Sequence, residues 1–141
     1  MTDGLDQALA NAGLALLDAD PNLVVFDGIV PSPTPSPPYA LVYSMIDRPS
    51  EDPDNAANGR SSVWVARWIV HCVGGNAAAA RAVAQRVRTA LLDADVNDLP
   101  TLAPLSCGRI RWEQSSPPEK DETTGKPVMD SVEIFRLRAT S

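Results

Sequence analysis

One histidine, His71, and two cysteines, Cys72 and Cys107, are the side chains of this sequence best suited to metal or nucleophilic chemistry. Their spacing argues against both. His71 and Cys72 are neighbours in an alternating apolar segment, and neighbours on a strand point to opposite faces. A zinc site needs about four converging ligands, and no second histidine stands at ligand spacing. Gly74-Gly75 lacks the Gly-Lys-Ser/Thr that completes a phosphate loop, and no nucleophile-elbow pattern marks a serine. The 18 Asp and Glu residues gather mostly in segments without periodicity, whereas catalysis needs positioned groups. The reading is therefore of a non-enzyme with no catalytic residue, cofactor or metal site. Both cysteines fall in predicted strands and read as buried thiols in a reducing compartment. A disulfide between neighbouring strands would need a geometry that sequence alone does not place.

The balance of charge and apolar content narrows the class further. A chain of 141 residues with 44% hydrophobic content reads as one domain, long enough to build one core. The net charge of −6 disfavours a general nucleic-acid binder, whose footprint is basic, and favours solubility. No apolar run reaches the ~18 residues of a membrane span. Met1-Thr2-Asp3-Gly4 lacks the basic start of a signal peptide, so a cytoplasmic location is expected.

The elements that could position a site follow from periodicity. Leu5, Leu9, Ala12 and Leu16 mark one face of a helix over 3–18, stopped by Asp20-Pro21-Asn22. Gly13 weakens that helix by ~1 kcal/mol relative to alanine. Residues 23–26 form a short strand. The proline-dense run 31–38 reads as a stiff extended connector. Tyr39 to Ile46 is a second strand, and 47–60 is a polar, turn-forming loop. Residues 61–73 alternate, with Trp64, Ala66, Trp68, Val70 and Cys72 on one side and Val63, Val65, Arg67, Ile69 and His71 on the other. Such a strand spans roughly 40 Å, long enough to predict a bulge or a projecting end. Asn76 is a natural N-cap for a helix from Ala77 to Leu92. Ala80, Val83, Ala84, Val87 and Leu91 form its apolar face, and Arg81, Arg86 and Arg88 point to solvent or a partner. Residues 93–104 form an acidic loop, 105–114 a strand, 115–127 a polar turn region and 130–138 a last strand.

The expected architecture is α+β: a single, mostly antiparallel sheet of about four to five strands, with two helices on one face. Trp64, Trp68, Trp112, Phe135 and Leu137 should point at the helices. By alternation, Arg67, Arg109, Arg111, Arg136 and Arg138 lie opposite. The uncovered face then carries arginines among Val63, Val65, Ile69, Val132 and Ile134, a mixture suited to an interface. It is the candidate inter-subunit face, with acidic loops of a neighbouring copy as counter-charge. A solvated sheet face with scattered aliphatics is the bland alternative, and contact with DNA phosphate another.

The order of these segments resembles the tail terminator (tail completion, or minor tail) proteins of long-tailed bacteriophages. The resemblance rests on Val25-Phe26-Asp27 followed by Pro37-Pro38-Tyr39-Ala40-Leu41-Val42, and on Val63 to Cys72 leading into 76–92. It ends on Glu119-Lys120-Asp121 through Gly125 and then Ser131-Val132-Glu133-Ile134-Phe135. It covers nearly the whole chain, and the proline-dense 31–38 and acidic 47–60 segments depart from the family pattern. The resemblance implies a virion protein of the tail or neck, made in the host cytoplasm. Such proteins form a ring, usually a hexamer, that caps the tail tube and stops its polymerisation. The ring joins the tail to the head–tail connector or stopper, and DNA passes through its lumen without specific binding. Asp47, Glu51, Asp52 and Asp54 in one loop, and Glu119, Asp121 and Glu122 in another, are the candidate docking residues. Another neck component, such as a head-completion or connector adaptor protein, is the alternative. A small DNA-binding module using the arginine face would show strongly salt-dependent affinity, and an enzyme or small-molecule binder would need an acid–base pair on rigid elements.

Overall fold

The computed structural model describes residues 2–47, 63–93, 106–121 and 128–140. Helices α1 (Thr2–Asp18) and α2 (Ala77–Leu92) cover one face of a sheet. Its strands are β1 (Val25–Asp27), β2 (Tyr39–Asp47), β3 (Val63–Gly74), β4 (Ser106–Cys107), β5 (Arg111–Ser115), β6 (Glu119–Asp121) and β7 (Val128–Thr140). The fold is α+β as expected, with more strands than the sequence suggested.

β7 organises the sheet. On one side it pairs antiparallel with β3 over the full length from Val63↔Thr140 to Gly74↔Met129. Along its other side run β4, β5 and β6 in succession. β3 needs neither bulge nor projection along this pairing, because its partner is equally long. The predicted strand over 105–114 is instead broken at 108–110, and the predicted turn region 115–127 contains β6. Pro117 and Pro118 lack the N–H that a continuous ladder requires. The bulge falls in β5, between Trp112 and Gln114.

β1 lies parallel to β2, with Val25 opposite Ala40. Parallel neighbours cannot be joined by a tight turn and need a crossover. The proline-dense segment supplies it. Val30 and Phe26 pack there against Tyr39, Val73 and Val128 in a small second core. By strand alternation this core sits on the face away from the helices, so that face is covered at one end rather than fully open.

The main core joins Leu9, Ala12 and Leu17 of α1 to Ala80, Val83, Ala84, Val87 and Leu91 of α2. The α2 face is the one periodicity marks. In α1, Leu17 is fully buried where the sequence pattern picks Leu16. Trp68, Phe135 and Leu137 fill the space under both helices. Gly13 has a reason to be glycine: a Cβ there would lie 2.4 Å from Trp68 Nε1. The Asn76 side chain accepts from the Ala79 N–H at 2.8 Å, capping α2.

Candidate interaction face

The sheet face away from the helices is built by alternate residues of β2, β3, β5 and β7. Its centre is apolar: Ile69 stands between Tyr43 and Ile134 in the register. Tyr43 and Met45 of β2 are 43% and 48% exposed, which is high for large apolar side chains on a sheet. β2 thus belongs to this face beside the predicted β3, β5 and β7 residues. The period-2 pattern Tyr39, Leu41, Tyr43, Met45 was the signal that could have placed it.

At one end of the face the arginines converge. Arg136 lies across from Arg67 on β3 and from Arg111 on β5, and Arg138 across from Val65. Arg109, Arg111, Arg136 and Arg138 surround a groove of about 330 Å³ floored by Val65 and edged by Gly108. Val65 is 8% exposed, although it lies on the side away from the helices. The Gly108 N–H donates to the Arg138 carbonyl at 2.9 Å, tying the groove's rim to β7. Arg67 forms a bidentate pair with Glu113, whose Oε2 is 3.1 Å from Nε and Oε1 3.4 Å from Nη2. Glu113 sits at the β5 bulge, two residues on from Arg111 and so on the same face by strand alternation, while the bulge brings Gln114 opposite Ile134. Among the described residues, no ion pair involves Arg109, Arg111 or Arg136.

The opposite end carries a different group. His71 Nδ1 lies 2.9 Å from Asp130 Oδ2, and the Tyr43 ring meets the imidazole edge-on at 5.6 Å. The Asp130 hydrogen bond raises the His71 pKa above its ordinary value, opposed by burial and assisted by the charges of Asp130 and Asp121. His71 is thus a partly buried imidazole held by a carboxylate. Among the described residues no group of three or more His, Cys, Asp or Glu side chains could hold a metal. Cys72 and Cys107 are buried thiols not joined in a disulfide, and burial pushes both above the ordinary range.

The predicted face residues distribute as follows. Val65, Arg109, Arg111, Arg136 and Arg138 come together at the groove, with Arg67 beside it. Ile69, Ile134 and Val132 form the central strip, Val132 lying across from His71. Val63 pairs with Thr140 at the arginine end. Of the predicted docking residues, Asp47 is the last residue of β2, and Glu119 and Asp121 lie in β6 rather than in a loop. Glu51, Asp52, Asp54 and Glu122 lie outside the described residues.

The helix side holds a polar cluster that the sequence did not reveal. Glu133 is fully buried and forms a short ion pair with Arg88 of α2. It also accepts from Trp112 Nε1 at 3.1 Å, and the Arg88 guanidinium stacks 4.8 Å over the Trp112 ring. Trp112 does face the helix side, but at the sheet edge and 48% exposed. Arg86 pairs with Asp20 at 3.1 Å. Arg86 and Arg88 therefore find partners within the chain.

No protein-family model matches this chain, and no curated protein matches it. Among solved structures it is similar to a chain from the virion of a native gene transfer agent particle, with a TM-score of 0.68 and 19% identity. The match covers 94% of this chain and 95% of that one. At that identity the likeness establishes a shared fold.

Proposed function

We propose that this chain is a structural, non-enzymatic protein of a phage-like virion, and that within the virion it is the tail terminator. The observation that carries the first step is the end-to-end fold likeness to a chain of a gene transfer agent virion, with almost nothing left over on either side. The second step rests on the family resemblance of the element order. In this reading copies form a ring, a hexamer by family pattern, on the finished tail tube. The ring stops tube growth and joins the tail to the head–tail connector, and DNA passes through its lumen.

The sheet face of Val63, Val65, Arg67, Ile69, Arg109, Arg111, Val132, Ile134, Arg136 and Arg138 is the proposed contact between copies, extended by Tyr43 and Met45 of β2. Mixed apolar and arginine surface of this kind suits an interface, because the guanidinium loses less hydration than an ammonium when buried. A repeated head-to-tail contact closes into a ring when its rotation allows. An overall acidic protein lets DNA pass without adhering.

The test is assembly with purified tail tube protein, viewed by negative-stain electron microscopy. The expected result is a ring at one end of each tube and arrested elongation. Unaffected tube growth with bare ends would overturn the terminator reading. Binding to the portal complex instead would assign the chain to another part of the neck.

A further inference from the structure

We propose that the arginine groove is the receptor for the acidic 47–60 segment of a second copy of this chain. The inference rests on the reading that the open sheet face meets another copy, and it names what that copy inserts.

The groove's chemistry is that of a carboxylate receptor. Among the described residues, four arginines and no acid line it. Arg111 and Arg67 both face Arg136 across the ladder, and like charges directly opposite on a sheet destabilise it. Glu113 answers one of these charges through Arg67. An anion entering the groove would answer those of Arg111 and Arg136, and the planar guanidinium fork matches a carboxylate in two-point contact.

The sequence supplies one concentrated source of such groups. Glu51-Asp52-Pro53-Asp54 places three carboxylates within four residues. The segment leaves the sheet at the arginine end, since Asp47 pairs with Val65, the floor of the groove. A net charge of −6 repels nucleic acid over the molecule as a whole, which favours carboxylate over phosphate. The exposed strip beside the groove decides between the chain's own segment and that of another copy. Tyr43 and Met45 need an apolar surface to cover them, and a folded copy brings one, whereas a polar segment alone does not. Segment and groove are different surfaces, so one contact leaves each copy with a free groove or a free segment for the next.

The test uses the full chain and a fluorescent peptide of residues 47–60, read by anisotropy. The peptide should bind the native chain. Binding should fall at least about tenfold for Arg136→Glu/Arg138→Glu, and also between about 50 and 300 mM salt. Both arginines are exposed, so circular dichroism should report an unchanged fold. Equal binding to that variant, or none to the native chain, overturns the proposal. A single-stranded oligonucleotide that displaces the peptide and binds more tightly also overturns it. In a second arm, the groove variant is mixed with Glu51→Lys/Asp52→Lys/Asp54→Lys. Complementary pairing in sedimentation velocity supports insertion between copies. If only one chain carrying both reversals regains the native behaviour, the contact is within the chain and the proposal fails. A closed dimer would keep this inference and sink the ring. Failure to cap tubes with intact peptide binding would sink the terminator reading alone.

Discussion

Gly13 shows how a residue that looks like a weakness in the helix is fixed by its neighbour. Alanine there would gain ~1 kcal/mol of helix propensity. Its Cβ would press into the Trp68 indole, and overpacking of that kind costs about 1–3 kcal/mol. Gly13→Ala is therefore expected to lower stability, by about 1 kcal/mol net, in urea denaturation. The buried Glu133 makes a larger case. Glu133→Ala strands the Arg88 guanidinium and removes the Trp112 acceptor, with an expected loss of about 3 kcal/mol. His71 sets a pH dependence. Its folded pKa is raised by Asp130, so its contribution is fully present below about pH 6.5 and is lost as pH rises through the higher folded value. Asp130→Asn should lower the imidazole pKa in an NMR titration, and His71→Gln should flatten the stability profile across that window. Neither pair was legible in the sequence. His71 and Asp130, like Arg88 and Glu133, meet across long stretches of chain, and local spacing carries no signal for such contacts.

The elements were more legible where period and cap agree. α2 matches its sequence reading from the Asn76 cap to the buried face of Ala80, Val83, Ala84, Val87 and Leu91. Asn76→Ala is expected to cost about 1 kcal/mol, measurable as a shift of the chemical denaturation midpoint. β3 was legible by alternation, and the arginine side of the sheet followed from the same rule. The segment from 105 to 127 was not. Gly108 lies inside what reads as one strand, and Pro117 and Pro118 read as a turn, yet they separate three short strands that share one partner. The parallel pairing of β1 was hidden too, because proline density marks a connector without saying that it crosses a sheet. That crossover also covers one end of the face that alternation alone leaves bare.

At the scale of the molecule, charge is distributed asymmetrically. The chain is acidic overall, while one end of one face is strongly basic. Contact through that end should weaken with added salt. Contact through Tyr43, Ile69 and Ile134 should not, so the salt dependence of self-association reports which end of the face is engaged. The position of β7 adds a constraint in time. It follows β3, β4, β5 and β6 in sequence and pairs with all four. The β3, β4, β5 and β6 side of the sheet therefore cannot pair up until β7 has been made, and such long-range pairing is intrinsically slow to form. The arginine groove is divided among β3, the approach to β5 and β7, so no partial product of translation carries it. On the proposed contact, a chain that stops short of β7 still carries the acidic 47–60 segment but has no groove to receive the next copy.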